Sequence, residues 1–276
     1  MANVWRVWDG AAWRAPKVNY WTGTEWTSSL PRGQYWDGQG WVSAAPPARE
    51  FAAFVGSNKG NYKDTRYAGL PVPAGARVND FVVSICANMK GLAKLASPAG
   101  HLPQVISPST DEMSFAVVCW PYTGQEGDVV WDLGGSPQAA CINLLYRNGD
   151  VSNQSVTPVS DMQLHKDVDK VPLMPSKDYT SVFVALAVSR QVSSYAWPEG
   201  VLPREAVVGR FGSYEISAFT ADTPGAGASL GALQLNTKVD AAAMYLVTIP
   251  GRSDGKPTWI LGDAAASVLG KTTYLQ

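Results

Sequence analysis

The chain is short of charge. Lys, Arg, Asp and Glu make up 16% of its 276 residues, against about 25% in an ordinary soluble domain. The 22 basic and 23 acidic side chains nearly cancel, leaving a net charge of -1. Binding to nucleic acid or to an anionic membrane needs a basic footprint, so neither is expected. A small net charge also removes the repulsion that keeps monomers apart, which favours life in an assembly.

Long apolar runs are missing as well. The longest, such as Val182–Val188 and Ala241–Ile249, have strand or short-helix length, well below the ~18 residues of a membrane-spanning helix. No membrane insertion is expected. Met1 to Trp13 has no basic start followed by an apolar stretch, which predicts the absence of a secretory leader. Cysteine is scarce: Cys86, Cys119 and Cys141 form an odd set without C-x-x-C spacing. That argues against a disulfide framework and against a zinc site. Each cysteine lies in an apolar strand-like run, where a free thiol packs as a small hydrophobe. Together these features predict synthesis in a reducing cytoplasm.

Catalytic signatures are equally sparse. The two histidines, His101 and His165, stand in no metal-ligand spacing, and there is no G-x-S-x-G, Walker or dinucleotide fingerprint. His101 reads as a loop residue. The run Asp161–Asp169 holds three acids and His165 but lacks the Gly and closing Glu of a calcium loop, and Lys166 and Lys170 mark a solvated face. Gly56-Ser57-Asn58-Lys59-Gly60 lacks the spacing of a phosphate loop and reads as a turn. The acid pairs Asp111/Glu112 and Glu126/Asp128 have the residue types of a glycosidase, but adjacent positions do not set a carboxylate separation. No enzyme activity, metal or cofactor is expected.

What the chain has in plenty is tryptophan near its amino terminus. Seven of eleven Trp precede residue 42. Trp8-Asp9-Gly10-Ala11-Ala12-Trp13, Trp21-Thr22-Gly23-Thr24-Glu25-Trp26 and Trp36-Asp37-Gly38-Gln39-Gly40-Trp41 repeat the pattern W-[DT]-G-x-x-W. Gly, and Asp beside it, favour the turn; Trp and the preceding Val7, Tyr20 and Tyr35 favour pleated strands. Each unit therefore predicts a β-hairpin whose two Trp face each other across the pair. Trp8, Trp13, Trp21, Trp26, Trp36 and Trp41 are the candidate contacts. The first reading is structural, a small aromatic core shared by the three hairpins that would serve as an anchor for assembly; the others are a stacking surface for a glycan and a choline-type aromatic cage. Ser43 to Ala48, with Pro46 and Pro47, breaks the pattern and predicts a linker over 44–50.

From Phe51 onward, short β-branched and aromatic runs alternate with Gly, Pro, Ser and Asn clusters. The expected strands are Phe51–Val55, Asp80–Ala87, Met113–Trp120, Asp128–Leu133, Ala139–Arg147, Tyr179–Val188, Tyr214–Phe219 and Met244–Ile249. Runs such as Phe81–Cys86 are apolar on both faces, as in the centre of a two-layer sandwich. With 26 Gly and 19 Pro, long helices are not expected; one helical turn is expected near Asp240–Ala243 or Asp263–Leu269. The fold class is all-β: a jelly-roll-like β-sandwich over 51–251, preceded by Trp-rich hairpin repeats over 1–43 and followed by an extension over 252–276.

Pro73-Ala74-Gly75-Ala76-Arg77-Val78-Asn79-Asp80 leads into the strand Phe81–Cys86, and Leu145-Tyr146-Arg147-Asn148-Gly149 closes a later one. A small-residue loop follows at Asp222–Gly227, and the last strand ends at Pro250. This order of segments, with the W-D-G-x-x-W hairpins before it, resembles the minor tail proteins of phages infecting actinobacteria. Asn79 stands where that pattern has Gly, a tolerable change because Asn also visits positive φ. The resemblance implies a structural virion protein of the tail, made in the host bacterial cytoplasm. It would dock on other virion proteins as a homo-oligomer, a trimer above other rings, with a host-surface glycan as a further contact. A carbohydrate-binding adhesin using aromatics such as Trp120, Tyr122, Trp131 or Trp197 is the first alternative. A capsid decoration or head-fibre protein is the second.

Overall fold

The computed structural model describes residues 51–251 except 90, 109–112, 135–137, 151–158, 176–179, 190–193, 212–213 and 225–229. Before residue 51 it describes the backbone of six short strands. These are β1 (Val7–Trp8), β2 (Trp13–Arg14), β3 (Tyr20–Trp21), β4 (Trp26–Thr27), β5 (Gln34–Trp36) and β6 (Trp41–Ser43). They pair two by two as antiparallel hairpins, one for each W-[DT]-G-x-x-W unit. The linker expected over 44–50, the extension 252–276 and the helical turn expected at Asp263–Leu269 lie outside the described residues.

Glu50–Arg252 forms one compact unit. Among the described residues it contains no helix. Its first half carries β7 (Ala53–Lys63), β8 (Tyr67–Leu70), β9 (Phe81–Asn88), β10 (Lys94–Ser97), β11 (Gln104–Ile106), β12 (Ser114–Pro121), β13 (Val129–Asp132) and β14 (Gln138–Arg147). The second half carries β15 (Val159–Pro172), β16 (Thr180–Ser189), β17 (Tyr195–Ala196), β18 (Leu202–Phe211), β19 (Tyr214–Pro224) and β20 (Ala232–Ile249).

In the first half the large sheet runs β7-β14-β9-β12-β11 and a small sheet runs β8-β13-β10. Eight strands in this order make a jelly roll whose fifth strand has joined the larger sheet. The second half repeats the path, with the large sheet running β15-β20-β16-β19-β18. Here the start of β20 pairs with β17 on one side and with the end of β15 on the other. Single long strands thus do the work that the first half divides between β7 and β8, and between β13 and β14. The two-layer sandwich expected from the sequence is therefore two sandwiches, joined face to face.

The correspondence extends to single residues. Ile85 pairs with Ile142 and Val117, while Leu186 pairs with Ala243 and Ala218, a constant step of 101 residues. Both halves bulge at the matching place. Val55 is skipped opposite Leu145/Tyr146, and Ser160 is skipped opposite Val247/Leu246. The last strands of the two halves each run on to a glycine, and Gly149 bridges Gly251 in antiparallel fashion, with the Asp150 N–H donating to the Pro250 carbonyl at 2.7 Å.

Side-chain alternation explains the layers. Phe81, Val83 and Ile85 of β9, Ile142, Leu144 and Tyr146 of β14, and Val182, Val184 and Leu186 of β16 point between the two large sheets into one core. The intervening residues point outward. In the first half Val82, Cys86, Cys141 and Leu145 meet Ala68, Val129 and Trp131 of the small sheet. In the second half Phe183, Ala185, Met244 and Leu246 meet Val171, Leu233 and Leu235. Central strands covered on both faces read as continuous apolar runs.

Several expectations need correction. Asp240–Ala243 lies inside β20, because that strand runs through from Ala232 and buries Ala241, Ala242 and Ala243. Gly56–Gly60 is the middle of β7, whose glycines are tolerated at an edge strand. Asp222 to Pro224 continues β19. Six strands had no expected counterpart: β8, β10, β11, β15, β17 and β18. They are short, or lie at sheet edges where few apolar residues are needed.

A Cβ at position 149 would run into the Phe81 ring and stand 3.0 Å from Ile249. Gly149→Ala should therefore lower stability by about 1–3 kcal/mol through overpacking. Gly127→Ala, where a Cβ meets nothing within 4 Å, should stay within about 0.5 kcal/mol of the parent. Guanidinium unfolding of the two variants checks both.

Candidate functional site

The backbone register sets Trp8 opposite Trp13, Trp21 opposite Trp26 and Trp36 opposite Trp41. Directly opposed residues have their Cα atoms about 4.5–5.5 Å apart, so the repeat delivers three tryptophan pairs at equivalent places. The side chains of these six residues lie outside the described residues.

On the sandwich, polar groups gather where β7 meets β18. The Tyr146 hydroxyl donates to Asp222 Oδ2 at 2.8 Å, and Arg204 grips the same carboxylate with two hydrogen bonds of 2.7 and 2.8 Å. The Arg204 guanidinium lies 4.8 Å from the centre of the Phe54 ring, which itself meets Tyr146 edge-on. Beside them Ser57 and Lys59 donate to the two oxygens of Glu205, and Asn61 Nδ2 donates to the Val208 carbonyl. Burial, and next the Asp222 charge, push the Tyr146 phenol well above its ordinary value. The buried Asp222 carboxylate spends three of its roughly four lone-pair positions on the arginine fork and the phenol. The cluster is a clasp between the two halves.

A second clasp joins the Pro73–Asp80 segment to the Leu145–Gly149 segment. Arg147 grips both oxygens of Asp80 at 3.1 and 2.9 Å and donates to the Gly75 carbonyl. Asp80 also accepts from the Arg77 N–H. Gly75, Asn79 and Asn148 sit at φ of 83°, 72° and 64°, so Asn79 does adopt the left-handed turn that glycine would otherwise supply. The Pro73–Asp80 turn and the Tyr146-Arg147-Asn148 strand end are one unit in space.

The remaining sequence candidates are dispersed. Trp120 and Trp131 are fully buried, at 1% and 0% exposure, so neither can stack on a glycan. Trp131 Nε1 donates to Ser84 Oγ inside the outer core. Tyr122 and Trp197 are half-buried. His101 is a loop residue stacked on Trp120, with ring centres 5.2 Å apart. Together with Gln104, Cys119 and Val159 it lines a cavity of about 220 Å³, below the ~300 Å³ of the smallest usual ligand sites. Burial pushes the Cys119 thiol up, away from a nucleophilic thiolate. The Glu126 carboxylate is engaged by Thr123 and the Gln125 N–H within its own turn. Asp111 and Glu112 lie outside the described residues. Asp161–Asp169 forms most of the exposed edge strand β15. Among the described residues, no group of three or more His, Cys, Asp or Glu is placed to hold a metal.

Comparison with known proteins gives no match. No family model, no curated protein and no solved structure is similar enough to this chain to be assigned to it. The functional reading thus rests on the residues themselves. Neither clasp was visible in the sequence, because Asp222 and Arg204 are ordinary surface residue types until the register of β18 and β19 brings them over Tyr146.

Arg204→Ala leaves Asp222, 2% exposed, without its cation and should cost about 3–5 kcal/mol. Tyr146→Phe removes one hydrogen bond and should cost about 1–2 kcal/mol. Chemical denaturation distinguishes them. For His101 the shift is downward, from burial first, opposed by the Glu126 charge. Between the unfolded value near 6.5 and the lower folded one, the unfolded chain takes up a proton that the folded chain does not. Stability should therefore fall as pH drops from 7 to 5.5, and His101→Gln should remove that part of the fall.

Proposed function

We propose that this chain is a structural virion protein, a minor tail protein of a phage infecting actinobacteria, that works by docking and without catalysis. The observation that carries the reading is the set of three hairpins with tryptophans set opposite one another, attached to a doubled sandwich. Aromatic pairs at regular spacing give large contact area at low conformational cost, which suits a docking element. The sandwich supports the same reading: its buried charges are spent on intramolecular clasps, and its two halves share one core, as a rigid building block requires. On this reading the chain is made in the bacterial cytoplasm and takes its place in the tail beside other virion proteins, as a homo-oligomer, with a trimer favoured. A host-surface glycan is its further contact.

Immunogold labelling of purified particles with an antibody to this chain tests the location. Gold at the tail supports the reading, gold over the head replaces it with capsid decoration, and unlabelled particles overturn it. Deleting Met1–Ser43 tests the hairpins. The shortened chain should unfold at the same temperature as the sandwich of the full chain yet be lost from particles. Trp26→Ala and Trp41→Ala chains that assemble normally but adsorb poorly would assign the hairpins to glycan binding instead.

A further inference from the structure

Cys86 of β9 and Cys141 of β14 are direct partners in the antiparallel register. They are 55 positions apart in sequence and share no motif, so nothing before the fold relates them. Directly opposed residues of such a pair have Cα atoms about 4.5–5.5 Å apart, inside the window that a disulfide spans. Both side chains point to the same face of the large sheet, into the core shared with the small sheet, at 0% and 1% exposure. Cys119 pairs with Val83 and packs against the core on the opposite face, so the sheet itself separates it from the other two. In the second half the matching positions are Ala187 and Ala242, again direct partners. The site therefore takes small side chains in both halves, and only the first half has sulfur on both strands.

We propose that Cys86 and Cys141 are a disulfide-forming pair, closed by exchange with a small-molecule disulfide before the small sheet covers them. One cysteine thiolate attacks a sulfur of the small disulfide, giving a mixed disulfide and releasing one thiolate. The second cysteine thiolate attacks the protein sulfur of that mixed disulfide, forms the Cys86–Cys141 bond and releases the second thiolate. The two protein thiols lose two electrons, the reagent gains them, and the two cysteine protons end on the released thiols. The bond would tie β9 to β14 at the centre of the large sheet. Burial, and next the neighbouring Cys141, push the Cys86 thiol up, so the folded reduced chain exchanges slowly and each redox state persists once the outer layer has closed. The inference stands whether or not the chain belongs to a virion.

The test is to refold the full-length chain from denaturant in a mixture of reduced and oxidised glutathione. Free thiols are then alkylated under denaturing conditions and the peptides mapped. The expected product has lost two hydrogens, links the Cys86 and Cys141 peptides, and carries the alkyl group on Cys119 alone. It should melt about 5 °C or more above the same chain reduced. Cys119→Ser should leave the link intact, and Cys86→Ser should abolish it. Three alkylated cysteines, or a link that includes Cys119, would overturn the proposal. Should the chain not refold, the same mapping on full chain produced in an oxidising bacterial host decides it on the same criteria.

Discussion

The apolar interface between the two large sheets is what the rest of the structure depends on. Each sheet presents a face of Val, Ile, Leu, Phe and Tyr from its central strands, and each face is too large to leave in water. Neither half has a second copy of that face with which to cover itself, since its small outer layer is already occupied on the other side. The halves must therefore fold against each other. Each half carries a bulge at the matching place, Val55 and Ser160, and the glycine bridge between Gly149 and Gly251 ties the ends of their last strands together.

Polar chemistry is used to seal that interface. Hydrophobic contact is non-directional and would tolerate small slides of one sheet over the other. The Tyr146–Asp222–Arg204 clasp and the Glu205 contacts from β7 do not, because charge-assisted hydrogen bonds weaken steeply with distance and angle. Tyr245 acts at the other edge of the same core, donating to the Phe115 carbonyl at 2.6 Å and accepting from the Ile106 N–H. Hydroxyls from both halves thus pin one sheet to the other, and the chain spends its few buried charges on holding shape.

Much of the fold was legible in the sequence because strand formation leaves a local trace. The period-two or continuous apolar runs at Asp80–Ala87, Ala139–Arg147 and Tyr179–Val188 became β9, β14 and β16 with no end displaced by more than one residue. The hairpin at each W-[DT]-G-x-x-W unit was legible for the same reason: turn residues and strand residues alternate within six positions. What escaped notice was the edge strands, such as β15, whose exposed Asp161–Asp169 face has too few apolar residues to signal a strand. The duplication also escaped, because a buried position asks only for apolar bulk of about the right size. Ile85 and Leu186, or Cys86 and Ala187, fill matching places without resembling each other.

By itself, then, the sequence determined the class of structure: all-β, sandwich-like, with repeated tryptophan hairpins and no strong charge. It did so because backbone preference and side-chain alternation act within a few residues. Tertiary structure alone decided that there are two jelly rolls and not one, that Trp120 and Trp131 are buried, and that Asp80 meets Arg147. It also decided that Cys86 faces Cys141. Each of these depends on register between strands distant in the chain, and register is settled by which faces can be buried together across the whole sheet.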